Sequence, residues 1–442
     1  MHHFGKDSES AGEWLQNMFI FAGIVCHICL LYAGICRMDV AGRIKQEAFA
    51  FPLAGELSFK QQRSLSMEKI QMVDLKRQYE RIREEVDAAV LDVIRSTQFI
   101  NGPEVKAFQK DLEEYLGAKH VIPCANGTDA LQVSMMALDL KPGDEVITTS
   151  FTFVATVEVI ALLGLRPVLV DVDPGTFNMD PEAVRKAITT KTRAIVPVHL
   201  FGQSVHMEPI LQLAEEHGLY VIEDNAQAIG AEYLYSDGRR KKTGTLGHIG
   251  CTSFFPSKNL GCYGDGGAVF TDDDQLAQRL RVIVNHGMEV RYYHDSVGVN
   301  SRLDSIQAAI LRIKLRRLDD YARARRQAAA YYDEAFGGHP SLGIPVRSPY
   351  STHVFHQYTL KTTGIERFEL QKHLMDHGVP AMVYYPVPMH MQKAYRDPRY
   401  GQGDFPVTEQ LSEQVISLPM HTELDEEQLA HIAARVLSFF DQ

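Results

Sequence analysis

An α/β fold is predicted: a mostly parallel central sheet with helices on both faces, plus a smaller C-terminal α+β domain. Three observations predict it. Short apolar runs such as Val121-Ile122-Pro123-Cys124 and Leu219-Tyr220-Val221-Ile222 alternate with stretches of helical spacing, the pattern of strands covered by helices. With 442 residues, 45% of them hydrophobic, the chain can bury a large domain and a second, smaller one. Beyond Pro340 the alternation gives way to short strands and helices.

The elements follow in order. Leu75 to Ser96 carries apolar residues at helical spacing (Tyr79, Ile82, Val86, Val90, Ile94). Gly102-Pro103 breaks the chain, and Glu104 to Leu116 forms a second helix ended by Gly117. Val121 to Cys124 is a strand, followed by the loop Ala125-Asn126-Gly127-Thr128 and a helix through Leu138. Glu145 to Thr148 is a strand, and Ala155 to Leu163 a helix. Pro167 to Asp171 and Ala194 to Val198 are strands, Leu211 to His217 a helix, and Tyr220 to Glu223 a strand. Gly250 to Phe255 and Gly267 to Thr271 complete the set. One long helix is expected from Asp304 to about Phe336, with Arg312 to Arg326 as a solvated basic face. The large domain is placed at residues 67–320 and the small one at 321–442.

The net charge is −11 and no basic block stands out, so nucleic acid is not an expected partner. The six cysteines are Cys26, Cys29, Cys36, Cys124, Cys251 and Cys262, and a chain of this size needs no disulfides, which points to a reducing cytoplasm. Cys26 and Cys29 form a CxxC-like pair inside an apolar run with no matching second pair, so no metal site is expected there.

Residues 18–36 carry no charge and are about as long as a membrane-crossing helix, roughly 20 residues. Asp7, Glu9 and Glu13 precede them, whereas a secretory signal opens with basic residues. The globular pattern begins at Met67. The expectation is that Met67 or Met72 is the natural start and that residues 1–66 are upstream translation or a weakly ordered extension. A membrane anchor in 18–36 is the alternative.

Chemistry concentrates around Lys258, in Cys251-Thr252-Ser253-Phe254-Phe255-Pro256-Ser257-Lys258-Asn259-Leu260-Gly261. Upstream, Glu223-Asp224-Asn225-Ala226-Gln227 ends a buried strand, where ligands of open α/β sheets collect. An amine that forms a Schiff base and a carboxylate that keeps a pyridine nitrogen protonated are the two groups pyridoxal phosphate needs most. Asn126-Gly127-Thr128-Asp129-Ala130 joins a strand to a helix, whose first amides and dipole suit a phosphate. Ser253 can add a hydroxyl, and Phe153 can lie flat on the ring. Each feature has a plainer reading: a solvated lysine, a strand-end cap, a helix cap, a core phenylalanine. Gly261-Cys262-Tyr263-Gly264-Asp265-Gly266-Gly267 precedes a strand, the wrong order for a dinucleotide loop, and is read as a tight turn.

Together with Gly143-Asp144-Glu145-Val146-Ile147, Phe151-Thr152-Phe153-Val154-Ala155-Thr156 and Val299-Asn300-Ser301-Arg302-Leu303-Asp304, these segments resemble the DegT/StrS-type sugar aminotransferases from about Val73 to the C-terminus. The resemblance implies fold type I of the pyridoxal phosphate-dependent transferases and a nucleotide-linked keto sugar as substrate. It makes Lys258 the Schiff-base lysine and general acid/base. It sets Asp224 at the pyridine nitrogen and Gln227 near the ring hydroxyl. Gly127, Thr128, Asp129 and Ser253 surround the phosphate, and Asn300 reaches it from the neighbouring subunit of a homodimer with shared active sites.

Within the family the likeness is closest to the aminotransferases of UDP-2-acetamido-2-deoxy-3-oxo-glucuronate, through the lysine segment, Leu260 to Ala268 and Ser417-Leu418-Pro419-Met420-His421. That implies glutamate as amino donor, a UDP-sugar acceptor, and a role in surface polysaccharide (lipopolysaccharide O-antigen) synthesis. Arg302 and Arg291 are the candidates for the substrate's charges, Tyr385 for the sugar pocket, and His286 for its edge. Asn225 stands where that subgroup tends to have alanine, and Tyr384 where histidine is expected. Transfer at C4, a dTDP-linked deoxysugar acceptor, a membrane-tethered form and a non-catalytic regulator of the same fold remain as alternatives.

Overall fold

The computed structural model describes residues 69–441. The hydrophobic segment 18–36, its cysteines and the proposed start at Met67 lie outside the described residues. The strands are β1 (His120–Cys124), β2 (Glu145–Thr149), β3 (Arg166–Val170), β4 (Thr192–Ile195), β5 (Tyr220–Asp224), β6 (Glu232–Leu234), β7 (Arg240–Lys242), β8 (Ile249–Ser253), β9 (Gly267–Thr271), β10 (Leu342–Gly343), β11 (Tyr358–Thr362) and β12 (Val415–Leu418). The helices are α1 (Leu75–Ser96), α2 (Pro103–Leu116), α3 (Gly127–Ala137), α4 (Ala155–Leu162), α5 (Pro181–Ala187), α6 (Met207–His217), α7 (Asp274–Ile283), α8 (Ser305–Leu315), α9 (Leu318–Phe336), α10 (Arg367–Asp376), α11 (Pro406–Gln414) and α12 (Glu426–Ser438).

Seven strands form the central sheet in the order β1-β9-β8-β5-β4-β2-β3. Only β9 runs against its neighbours; the β8-β5-β4-β2-β3 pairs are all parallel. Successive residues on one strand enter different cores. Val146, Ala194 and Ile222 pack with α3, α4 and α7, whereas Ile147, Ile195 and Val221 pack with α5 and α6. Both faces are therefore dry, which is why these strands read as unbroken apolar runs. The sheet is the mostly parallel, doubly covered one expected for fold type I.

A three-stranded antiparallel sheet, β10-β11-β12, builds the second core with α9, α10 and α12. Ile70, assigned from sequence to the large domain, packs into this second core. No helix among the described residues is long and apolar enough to cross a membrane.

The single helix expected over 304–336 is two. α8 ends at Leu315 and α9 begins at Leu318. Arg317 sits at the break: its N–H donates to Lys314 O at 3.0 Å, and its guanidinium donates back to Ile313 O at 3.0 Å and also to Glu85. No glycine or proline marks the spot, so the sequence pattern ran on. The basic stretch is not wholly solvated either. Lys314 is 1% exposed and lies over the Tyr263 ring, and Arg325 is 2% exposed, donating to Phe355 O and Met420 O at 3.0 and 2.8 Å.

Candidate active site

The carboxyl ends of adjacent strands bring the proposed cofactor residues together. Asp224 closes β5 and pairs with Cys251 on β8, which ends two residues later at Ser253. The chain then turns, with Lys258 N–H donating to Phe255 O at 2.8 Å. Lys258 keeps some solvent exposure as a residue, yet protein surrounds its amine closely. Burial pulls the amine from 10.5 down to about 8, with the Asp224 carboxylate pulling the other way. The lysine amine is thus shielded from water and within the field of a carboxylate, unlike that of a surface lysine.

Asp224 is itself buried and anchored. Its Oδ2 accepts from Thr156 Oγ1 at 2.7 Å and its Oδ1 from Ala226 N–H at 3.2 Å. Thr156, in the first turn of α4, was missed by sequence reasoning. Its signal was present, since it is the last residue of the Phe151-Thr152-Phe153-Val154-Ala155-Thr156 segment. The acid before Asp224 has a different job. Glu223 is fully buried and accepts from His199 Nε2 (2.8 Å), Gly244 N–H (2.9 Å), and Leu246 and Gly247 N–H (2.6 Å each). His199 Nδ1 accepts from Val205 N–H, so the imidazole is neutral and donates through Nε2. This network braces the strand that presents Asp224.

Gln227 is held on both sides. Its Oε1 accepts from Phe201 N–H at 2.7 Å, and its Nε2 donates to Tyr385 Oη at 3.0 Å. Burial raises the Tyr385 phenol, which stays protonated. The Tyr385 ring lies 6.2 Å from both Phe151 and Phe153. Phe153 is 53% exposed, so one face of this large ring is open at the site rather than packed in the core.

The α3 amino end meets the end of β8. A Cβ added to Gly127 would lie 2.6 Å from Ser253 Cβ, so only glycine permits this approach. Asn126 Oδ1 caps Asp129 N–H at 2.8 Å, leaving Gly127 and Thr128 at the helix mouth, where first-turn amides lack internal partners. A buried Thr152 Oγ1 has no hydrogen-bond partner. An amine next to a carboxylate, an open aromatic face and a glycine-shaped anion cradle together fit pyridoxal phosphate.

Four other predicted residues share one connection, whose Ser301 Oγ accepts from Ala125 N–H at 3.0 Å, two residues before Gly127. Asn300, His286, Arg302 and Arg291 lie on the connection between α7 and α8. Asn300 bridges Asn285, and Arg302 Nη1 approaches Asn285 Oδ1 at 3.4 Å. His286 holds a φ of +60° and accepts through its carbonyl from His294 Nδ1, and Arg291 lies over the Tyr292 ring. Among the described residues, no hydrogen bond or ring contact joins these four to Lys258, Asp224 or Gln227 within one chain.

The family model of the DegT/DnrJ/EryC1/StrS aminotransferase family matches residues 80–437. A relative from Pseudomonas aeruginosa, UDP-2-acetamido-2-deoxy-3-oxo-D-glucuronate aminotransferase, is 46% identical over 365 residues, 83% of this chain and 99% of its own. The Pleiotropic regulatory protein of Geobacillus stearothermophilus is 46% identical over 84% of this chain and 98% of its own. The dTDP-3-amino-3,4,6-trideoxy-alpha-D-glucose transaminase of Streptomyces venezuelae is 40% identical over 82% and 94%. Among solved structures, S. venezuelae DesV in complex with a ketimine intermediate superposes with a TM-score of 0.81 at 39% identity, covering 85% of this chain and 99% of that one. NtdA from Bacillus subtilis with bound cofactor PMP gives 0.78 at 31% identity, covering 86% and 87%. The chain belongs to the DegT/DnrJ/EryC1/StrS aminotransferase family and is a pyridoxal phosphate-dependent sugar aminotransferase.

Proposed function

We propose that the chain transfers the amino group of glutamate to the C3 keto group of UDP-2-acetamido-2-deoxy-3-oxo-glucuronate, in the cytoplasm, as a step towards surface polysaccharide. The observation that carries the reading is the Asp224 carboxylate, anchored by Thr156 at the end of β5 and paired with the strand that leads to Lys258, whose amine burial lowers. The P. aeruginosa relative supports the acceptor.

Pyridoxal phosphate, when bound, supplies an electron-accepting ring that stabilises negative charge on the carbon bearing the amine. Lys258 Nζ removes the proton from that carbon of glutamate and later delivers one to the sugar carbon. An amine near 8 has both proton-accepting and proton-donating forms available close to neutrality. Asp224, fixed by Thr156, holds the proton on the ring nitrogen. Gln227 and Tyr385 face the ring hydroxyl and the sugar, and Phe153 covers the ring. Gly127, Thr128, Asp129 and Ser253 take the phosphate. Asn300 completes that cradle from a second copy in a homodimer. Arg302 and Arg291 meet the diphosphate and uronate charges, with His286 at the edge.

The test loads the protein with amine by glutamate, then offers UDP- and dTDP-linked keto sugars and identifies the product by NMR. Discharge by the UDP-linked 3-oxo-glucuronate is expected. Discharge only by a dTDP-linked sugar, the substrate class named for the S. venezuelae relative, or amination at C4, would replace this acceptor. Asn225 and Tyr384, at the two positions that depart from the subgroup, favour keeping those acceptors in the screen. The name of the Geobacillus relative favours a regulatory reading, which turnover with any keto sugar would displace.

A further inference from the structure

The segment 382–391 carries Tyr384 and Tyr385, and its far end is held by a buried polar array that the reaction above does not use. His390 is 2% exposed. Its Nδ1 lies 2.7 Å from Ser150 Oγ and its Nε2 3.1 Å from Glu409 Oε1. The main chain repeats the grip: Met389 N–H donates to Ser150 O at 2.9 Å, and His390 N–H to Ser150 Oγ at 3.3 Å. Glu409 is held in turn by Gly403 N–H, at 2.8 and 3.0 Å from its two oxygens. A serine, a histidine and a carboxylate in contact suggest a nucleophile, but Ser150 is fully buried and cannot meet a substrate. The array holds; it does not react.

What it holds is the outer wall of the site. Met382 pairs with Ser417 through 3.1 and 2.7 Å backbone bonds, so the segment is fixed at both ends with the tyrosine pair between. Ser150 also leads directly into Phe151 and Phe153, the rings that flank Tyr385. The clasp therefore ties together both chains that meet at Tyr385. Pro386 and Val387, next in line, are exposed, so this wall borders solvent, where a bulky nucleotide sugar must lie. Glutamate is smaller and carries no nucleotide to place against this wall.

We propose that His390 is a positioning residue which, through Ser150 and Glu409, fixes Tyr384 and Tyr385 for the keto-sugar acceptor, acting far more on the second half of the transfer than on the donor half. This rests on the acceptor being a nucleotide sugar, as proposed above. Removing one partner of a buried hydrogen bond leaves the other unpaired, and a displacement of about 1 Å can cost on the order of 100-fold in rate.

The test compares the wild-type holoenzyme with Ser150→Ala, and with His390→Ala as the stronger variant. Stopped-flow absorbance follows the coenzyme's conversion by glutamate and its return by the UDP-linked keto sugar. Hydrogen exchange read by mass spectrometry follows residues 382–391 independently of turnover. The expected result is faster exchange in that segment, acceptor kcat/KM lower by roughly 10- to 100-fold, and a donor half-reaction within about twofold of wild type. Equal losses in both halves, an unchanged acceptor half, or unchanged exchange overturns the proposal. If the wild type converts with glutamate but no nucleotide sugar returns it, the acceptor reading fails instead, and the exchange result alone decides the clasp.

Discussion

Thr156 Oγ1 donates a 2.7 Å hydrogen bond to Asp224 Oδ2, and both residues are buried. A hydroxyl on α4 thus fixes the plane of a carboxylate at the end of β5. Hydrogen bonds to charged groups are worth about 1.5–3 kcal/mol. Thr156→Val keeps the shape and removes the donor. Its coenzyme dissociation constant, from titration of the apoenzyme, is expected to rise roughly 10- to 100-fold, with Thr156→Ser close to wild type. An unchanged constant in the valine variant would mean that Asp224 needs no such anchor.

Lys258→Ala is expected to lose the visible absorbance of lysine-bound coenzyme and turnover together, while its thermal melt stays close to that of the wild-type apoprotein. Absorbance that survives in this variant would assign the covalent link to another amine.

The amine of Lys258 sets a pH dependence with a definite sign. Burial lowers it to about 8 from 10.5, so the neutral, nucleophilic form is present above about 8 and is lost as pH falls below it. The rate at which the apoprotein captures pyridoxal phosphate should therefore climb about tenfold per pH unit below this value and level off above it. A rate still climbing steeply at pH 10 would show an ordinary, solvated lysine.

Much of the site was legible because it lies on strand ends. Asp224, Ser253 and the Gly127 loop follow apolar runs whose boundaries the sequence marks to within a residue or two, and sheet adjacency then carries them together. Lys258 was legible from its neighbours. Thr156 lies in a segment the sequence singles out, but nothing local marks its hydroxyl as one that bonds a carboxylate rather than one that caps a helix. Ser150, His390 and Glu409 lie up to 259 residues apart, and only the tertiary fold makes them neighbours. The break at Arg316-Arg317 escaped because it comes with side-chain contacts to Ile313 O and Glu85 and without a residue that forbids a helix. That Asn300, Arg302, Arg291 and His286 share the one connection between α7 and α8 is read from their numbers, but periodicity says nothing of which loops converge on it.

Gly127 offers a test confined to the phosphate end of the site. The Cβ of Gly127→Ala would fall 2.6 Å from Ser253 Cβ and 3.2 Å from its Oγ, so the amino end of α3 and the end of β8 must move apart. The first amides of α3 would then no longer converge with the Ser253 hydroxyl on the proposed phosphate position. Pyridoxal phosphate should bind the variant roughly 10- to 100-fold more weakly, a cost of about 1.4–2.8 kcal/mol. Pyridoxal, which has no phosphate, should bind both proteins alike, because Lys258 and Asp224 are untouched. Competition between the two ligands, measured by absorbance, separates the readings. Equal weakening of both would indicate general damage to the sheet edge, and no weakening of either would move the phosphate away from the helix mouth.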